Sequence, residues 1–237
     1  PGEPPRVPLT YKQETHGTDM ATTAPPAAVI SSERDRLLEE IQKRVLWLSI
    51  YMVDYANNVR PNPDGLKVGG HQASSASVAT IMTYLYFEYM KAGDKVSVKP
   101  HASPVYHAIQ FLLGNLDADY LHRFRAYKGL QSYPSRTKDP DLVDFSTGSV
   151  GLGSVAPNFG ALAEAYVRDH FGAEGPPSRF ITVLGDAELD EGSVWEAAMF
   201  GAHHNLNNLV AIIDRNNQIT LDRNEDINRQ EPFAQKW

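Results

Sequence analysis

The sequence predicts an α/β protein with a mostly parallel sheet and helices on both faces, and three consecutive segments carry this prediction. Residues 179–184 (RFITVL) and 209–213 (LVAII) are short apolar runs typical of buried parallel strands. Between them, residues 193–204 have apolar groups at the spacing of a helix that lies on a sheet, namely Val194, Ala197, Ala198 and Gly201. A right-handed crossover places the carboxyl ends of both strands at one edge, where open α/β sheets bind ligands.

The remaining elements are expected in chain order from residue 32. Ser32 and Asp35 form a capping box before a helical stripe that reaches about residue 60. The apolar positions of that stripe are Leu37, Leu38, Ile41, Val45, Leu48 and Met52. A second helix is expected from Ser74 or Ser75 to residue 92, a short strand at 96–98 and a helix at 106–113. Asp117 is expected to cap a helix that runs to residue 127, and a long helix covers residues 154–171.

The two ends of the chain lead to separate expectations. The first thirty residues are rich in Pro, Gly, Thr and charge without periodicity, so residues 1–30 are expected to be a disordered tail. Met20 is typical of a natural start, which predicts that residues 1–19 lie upstream of it. Residues 31–237 are expected to form one domain. Its sheet is expected to be incomplete at the C-terminus, because the chain stops soon after the second strand.

Composition excludes several classes of protein. The 237 residues are 42% hydrophobic, enough for a sizeable core, and the net charge of −7 argues against a nucleic-acid partner. The absence of cysteine excludes disulfides and thiolate metal sites. No apolar run approaches the length of a membrane span, and no secretory leader is recognisable. We therefore expect a cytoplasmic protein with no membrane partner.

Polar groups follow each of the two strands. Gly185, Asp186 and Ala187 end the first strand, and Asn217 and Ile219 follow the second. The Asp186 carboxylate, the Asn217 carboxamide and the Ile219 carbonyl are the hard oxygen ligands that Mg²⁺ prefers, and they leave room for a diphosphate. The Ala187 amide can donate to a phosphate oxygen. Either segment alone also suits an ordinary turn. The two together, each framed by a strand, favour the metal site.

These two segments resemble the thiamine diphosphate signature of the transketolase superfamily. Four further segments follow the order found in the homodimeric first component of the pyruvate dehydrogenase complex: 69–74 (GGHQAS), 99–104 (KPHASP), 132–135 (SYPS) and 148–153 (GSVGLG). The resemblance covers roughly residues 45–237. It implies the thiamine diphosphate-binding (transketolase N-terminal) fold, with thiamine diphosphate and Mg²⁺ as cofactors. Ala187 stands where the family usually has glycine, which is tolerable only with a negative φ.

The glycine-rich segment 148–153 does not match a dinucleotide fingerprint. Such a fingerprint needs a preceding strand, and residues 144–147 (DFST) form a poor one. The resemblance implies instead that main-chain groups of Gly148 and Val150 lie beside the aminopyrimidine ring of the cofactor. A simple helix-start loop, with Pro157 in the first turn, explains the segment equally well.

Two of the eight histidines are candidate catalytic residues. His71 and His101 each lie in a loop before a helix, and the resemblance implies that both line a substrate channel. Imidazole titrates near neutrality, so it suits acid–base assistance and polarisation of a substrate carbonyl. The other histidines are interpreted as ordinary polar residues. Glu191 matches a family glutamate in the dimer contact, although a first-turn helix glutamate is an equal alternative.

The resemblance also implies an enzyme whose cofactor carries a two-carbon unit. The activating glutamate of the family belongs to a pyrimidine-binding domain not found in this chain. The expected partner is therefore a second chain or a missing C-terminal part, in a dimer of such units. Residues 131–135 (QSYPS) lack the extra histidine of sugar-phosphate enzymes, which favours decarboxylation of a 2-oxo acid of the pyruvate type and acyl transfer. Ketol transfer between sugar phosphates, or a non-catalytic scaffold half of a split enzyme, remain alternatives.

Overall fold

A computed structural model describes residues 32–237, so the expectation for residues 1–30 lies outside the described part of the chain. Its sheet has three parallel strands in the order β1 (Lys95–Ser97), β2 (Phe180–Gly185) and β3 (Leu209–Asp214). Lys95 pairs with Phe180, and Gly185 pairs with Asp214. The predicted strands are thus confirmed to within a residue, and the two longer ones end side by side.

Five longer helices surround the sheet, and all five were expected from the sequence. They are α1 (Glu33–Asp54), α2 (Gln72–Tyr84), α3 (Ser103–Leu112), α4 (Leu152–Phe171) and α5 (Gly192–His203). A turn of π-helix extends α1 over Tyr55–Val59 and another extends α2 over Leu85–Tyr89. Two short helices, α6 (Asn224–Ile227) and α7 (Phe233–Lys236), follow β3. Ser32 caps α1 as predicted, because its hydroxyl accepts the Asp35 N–H at 3.1 Å.

Helices cover both faces of the sheet. Ile181 and Val183 of β2 are buried in one hydrophobic cluster with residues of α1, α2 and α3. The alternate residue Thr182 points to α4, where its hydroxyl donates to the Gly153 carbonyl at 2.9 Å. That carbonyl is free for Thr182 because Pro157, four residues on, has no N–H to donate. The predicted fold class, a parallel sheet between two helical layers, is confirmed.

The helix expected from Asp117 to residue 127 is wrong. The structure has only a 3₁₀ segment, Ala118–Arg123, and Arg125 has a φ of 53°. The chain doubles back, so that the Leu130 N–H donates to the Arg123 carbonyl. A Cβ at Gly129 would lie 1.9 Å from that carbonyl oxygen, so only glycine allows this approach. The close return of the loop therefore ends the helix that local propensity favours.

Among the helices of residues 32–237, none combines the length and the apolar character needed to cross a bilayer.

Candidate functional site

The ends of β2 and β3 bring the two predicted metal-binding segments together. Since Gly185 pairs with Asp214, the residues that follow each strand leave the sheet side by side. Asp186 is 1% exposed, and its Oδ2 accepts the backbone N–H of Asn217 at 2.7 Å. The backbone of Asn217 and the side chain of Asp186, 31 positions apart in sequence, are therefore in contact, as parallel pairing of the two strands predicts.

The two carboxylate oxygens of Asp186 have different surroundings. Oδ2 also accepts Nη1 of Arg215 at 2.7 Å, so an ion pair joins the two strand ends. Among residues 32–237, Oδ1 accepts only the adjacent Ala187 N–H at 3.0 Å. Ala187 lies in a 3₁₀ segment with a negative φ, so its methyl group is accommodated without backbone strain. Oδ1 is consequently the oxygen of Asp186 with the fewer hydrogen-bond donors.

Asn217 has a left-handed backbone, with φ of 56°, and its side chain faces α6. Its Oδ1 accepts the Glu225 N–H at 3.1 Å, and its carbonyl accepts the Asn224 N–H at 3.2 Å. In the present arrangement the carboxamide oxygen thus caps a short helix, while the backbone of Asn217 contacts Asp186. Ile219 lies two residues further on, in a turn closed by its own N–H on the Asp222 carbonyl at 3.0 Å.

A buried carboxylate that the sequence analysis missed links the glycine-rich loop to the end of β2. Glu188 is 3% exposed, and it accepts the Gly185 N–H at 3.0 Å and the Gly151 N–H at 3.2 Å. Burial raises its pKa, against the lowering effect of these two hydrogen bonds. Through Glu188, the loop that contains Gly148 and Val150 is held beside the strand that delivers Asp186.

The two candidate catalytic histidines lie together. The His71 and His101 rings are 4.5 Å apart, and the Tyr133 ring is 5.7 Å from each of them. His71 follows Gly70, where a Cβ would lie 2.3 Å from a methyl group of Val53, so the chain can enter α2 at this point only with glycine. The structure therefore assembles residues from three of the sequence segments that were singled out.

The environment of both histidines favours the neutral imidazole. Burial, followed by the charges of His101, Arg125 and Lys99, lowers the pKa of His71 to about 4. Burial and the charges of Lys99 and Arg125 also lower the pKa of His101. Nδ1 of His71 is buried and has no hydrogen-bond partner within the described residues. This pair can thus accept a proton or a hydrogen bond from a ligand.

A buried ion pair connects the histidine cluster to the strand ends. Nζ of Lys99 lies 2.7 Å from Oδ2 of Asp214, and both side chains are 6% exposed. The lysine side chain crosses the end of β2, since a Cβ at Gly185 would lie 3.0 Å from its Cε. Ser77 of α2 donates to the same Asp214 oxygen at 2.6 Å. Lys99 was not among the predicted site residues.

The donor set of this edge suits Mg²⁺ bound to a diphosphate. A carboxylate oxygen of Asp186, the Asn217 carboxamide and a nearby carbonyl are of the hard oxygen type that Mg²⁺ prefers. The Asn217 oxygen accepts the Glu225 N–H in this structure, so it would have to leave that bond to reach a metal. His71 Nδ1 and the fully buried side-chain amide of Asn224 lack hydrogen-bond partners within residues 32–237. Arg215 competes for one oxygen of Asp186 but leaves the other open.

A second acidic cluster lies away from this edge. His107, predicted to be an ordinary polar residue, is fully buried on α3. Its Nδ1 lies 2.7 Å from Asp141 and its Nε2 lies 3.9 Å from Asp139. The three residues offer one possible ligand atom each, all within 4.8 Å of one another. Asp139 accepts the backbone N–H groups of Gln131 and Ser135, so the cluster anchors the loop that carries Tyr133.

Three residues of the site were missed by sequence reasoning, namely Lys99, Glu188 and Arg215. Glu188 and Arg215 each lie within three residues of a strand end, and Lys99 lies two residues before His101. Closeness in sequence to a strand end or to a candidate histidine was thus the signal that could have identified these three residues. Glu191, which was singled out, is exposed at the start of α5, and its role stays a prediction.

Fold and site together define an α/β domain in which the residues after two neighbouring parallel strands, Asp186 and Asn217, meet at one sheet edge. Residues 73–237 match the family model "Transketolase, thiamine diphosphate binding domain", and the chain belongs to this family. This confirms the resemblance inferred from the motifs, and it identifies a thiamine diphosphate-binding domain.

Individual relatives come from both branches of this family. The chain is 37% identical over 158 residues to "Transketolase-like protein 2" of Mus musculus, covering 62% of this chain and 24% of the relative. It is 32% identical over 211 residues to "Pyruvate dehydrogenase E1 component" of Haemophilus influenzae, covering 85% of this chain and 23% of the relative. Transketolase from Leishmania mexicana superposes with a TM-score of 0.72 at 23% identity, covering 84% of this chain and 30% of that one. The chain thus spans about a quarter of the length of the two relatives.

Proposed function

We propose that this chain is the diphosphate-binding part of a thiamine diphosphate- and Mg²⁺-dependent enzyme. The enzyme is proposed to decarboxylate a 2-oxo acid of the pyruvate type and to transfer the two-carbon unit. The observation that carries this proposal is the 2.7 Å hydrogen bond from the backbone N–H of Asn217 to the Asp186 carboxylate. This bond brings the two segments of the proposed metal site together at one sheet edge.

In this proposal Asp186, Asn217 and the Ile219 carbonyl hold Mg²⁺, and the Ala187 N–H binds the diphosphate. Gly185 allows the chain and the Lys99 stem to approach each other at the same place. When bound, the cofactor supplies a thiazolium carbon that stabilises the carbanion left by decarboxylation. The protein contributes binding, orientation and proton positions.

Main-chain groups of Gly148 and Val150 are proposed to contact the aminopyrimidine ring. Glu188 supports this role, because it holds the neighbouring Gly151 amide against the strand end. Gly148 also lies close to the ring of Tyr133, so the loop borders the histidine cluster.

His71 and His101 are proposed to hold and move protons at the reacting carbonyl. Their lowered pKa values favour the neutral form, in which each ring has one nitrogen that donates a hydrogen bond and one that accepts. The two rings lie close enough for both to face one small substrate.

Activity is proposed to need a pyrimidine-binding domain from a second chain or from a further segment of the same polypeptide, in a dimer of such units. The chain spans 24% and 23% of the two relatives' lengths, which leaves most of those proteins unrepresented here. The chain itself is proposed to bind the diphosphate half of the cofactor.

Two observations bear on the substrate. Similarity to the pyruvate dehydrogenase component extends over 85% of this chain, and the segment that brings Tyr133 to the two histidines, residues 131–135, contains no histidine of its own. Against this, the higher identity of 37% is to a transketolase-like protein, which favours ketol transfer between sugar phosphates as the second candidate. Assays of the full-length enzyme with pyruvate and an artificial electron acceptor, and with xylulose 5-phosphate and an aldose, separate them. Turnover only with the sugars would overturn the first proposal.

The scaffold alternative draws support from Arg215, which already balances the charge of Asp186. A scaffold half would not bind thiamine diphosphate in the presence of Mg²⁺ and its partner. Saturable, Mg²⁺-dependent binding of the cofactor, measured by calorimetry, would exclude that alternative.

A further inference from the structure

The guanidinium of Arg215 lies on the carboxylate that the proposed function assigns to the metal. We propose that Arg215 makes metal binding at Asp186 depend on the diphosphate, so that a free divalent cation is disfavoured and a metal–diphosphate complex is admitted. This inference rests on the proposed function and adds to it a device for coupled binding of the two ligands.

Arg215 is shared among three carboxylates at this edge. Nη1 lies 2.7 Å from Asp186 Oδ2, and Nη2 lies 3.3 Å from Glu231. Nη2 also forms an ion pair with Glu225. Burial disfavours the charge of Arg215, but its bonds to Asp186 and Glu231 outweigh this effect and raise its pKa. The guanidinium is therefore a permanent positive charge beside a carboxylate that is 1% exposed.

A free divalent cation at Asp186 would be repelled by that charge. In a partly buried site, like charges a few ångströms apart cost enough to change an equilibrium constant by about tenfold or more. Because Arg215 pairs with Asp186, the carboxylate that would contact the cation attracts it less than an unpaired carboxylate would, while Glu225 and Glu231 add negative charge nearby. A metal bound to diphosphate carries a net negative charge, and it is attracted to the same guanidinium, whose planar fork suits phosphate oxygens.

The site can accommodate this exchange without losing its anchor. If Asp186 coordinates a metal, Glu225 and Glu231 keep the guanidinium in place, since both already contact Arg215. Asp186 Oδ1, bonded only to the adjacent amide within residues 32–237, is the oxygen that can receive the metal first. Arg215 thus opposes a bare metal ion through its pairing with Asp186 and attracts the diphosphate directly.

The test measures binding of Mn²⁺ to the full-length protein by electron paramagnetic resonance, with and without inorganic diphosphate. The wild-type protein should bind free Mn²⁺ weakly and gain strongly from diphosphate. R215Q should bind free Mn²⁺ about tenfold more tightly than the wild type. Diphosphate should then increase the Mn²⁺ affinity of R215Q much less than it increases that of the wild type. R215K, which keeps the charge but not the planar fork, should bind free Mn²⁺ as weakly as the wild type and keep part of the increase that diphosphate causes. R223Q is the control, because Arg223 is 62% exposed and pairs only loosely with Asp226.

Three outcomes are decisive. If R215Q binds free Mn²⁺ no better than the wild type while diphosphate still promotes binding in both, the inference fails and the proposed function stands. If neither protein binds Mn²⁺ with diphosphate, the proposed function fails as well.

If R215Q does not fold, the inference is tested with R215K and E231Q instead. Glu231 is 57% exposed, so E231Q should fold. E231Q should bind free Mn²⁺ more weakly than the wild type, because the guanidinium loses one partner and pairs more strongly with Asp186. Unchanged binding would overturn the inference.

Discussion

The backbone amide of Asn217 donates to the carboxylate of Asp186 across 2.7 Å, and this bond joins the ends of two neighbouring parallel strands. It fixes the orientation of Asp186, since the same oxygen also receives Arg215. A carboxylate that is held by one oxygen and open at the other is preorganised for a single metal bond. The proposed cofactor site is thus a consequence of the strand register.

Replacing Asp186 with asparagine should abolish Mg²⁺-dependent binding of thiamine diphosphate. The side chain keeps its size but loses the charge that a hard cation requires, so we expect affinity to fall by about 100-fold or more. Calorimetry with the full-length protein measures this. D226N is the matched control, because Asp226 is 60% exposed on α6. Equal cofactor affinity in D186N and wild type would remove Asp186 from the site.

Replacing Lys99 with methionine should destabilise the fold by about 3–5 kcal/mol, because it leaves the buried charge of Asp214 unpaired. Urea unfolding measures the change. In the double variant K99M/D214N part of the loss should return, since the unpaired charge is also gone. The control is K95M, because Lys95 is 48% exposed and its partner Asp144 is 25% exposed, so this change should cost below about 1 kcal/mol. Equal losses in K99M and K95M would contradict the buried-pair assignment.

The strands and their shared edge could be predicted because their signals are local. Continuous apolar runs define β2 and β3, and parallel pairing then places Asp186 near Asn217. Two apolar strands also require helices on both faces, which the structure confirms. Gly70 and Gly129 show the limit of local signals. Glycine is required there by close contacts with Val53 and with the Arg123 carbonyl, which the sequence around each glycine does not reveal.

The missed residues depend on contacts that no local pattern encodes. A lysine before a loop histidine normally indicates a solvated charge, yet Lys99 pairs with a residue 115 positions away. Glu188 resembles a first-turn acid until its contact with Gly151, 37 positions earlier, is known. The helix predicted after Asp117 failed for the same reason, since the return of Leu130 to Arg123 outweighs helical propensity.

Replacing Glu188 with glutamine should weaken both the fold and cofactor binding. A carboxylate accepts both the Gly185 and Gly151 N–H groups, whereas an amide turns an N–H₂ toward one of them. The unsatisfied buried donor should cost about 1–3 kcal/mol in urea unfolding. E196Q, at an exposed position of α5, should change nothing measurable. Wild-type stability in E188Q would show that the two loops are held together by other contacts.

Lowering the pH should weaken the fold through His71. Its folded pKa of about 4 lies below the ordinary value of 6.5, so between these values the unfolded chain binds the proton that the native site excludes. The free energy of unfolding therefore falls as the pH drops from 6.5 toward 4, and His101, whose pKa is also lowered, acts in the same direction. In H71Q this fall should be shallower than in the wild type or in H203Q, a change at an exposed histidine. Urea unfolding at pH 7 and at pH 5 measures the difference. Parallel pH dependences in H71Q and H203Q would mean that His71 is not the group whose protonation the native state resists.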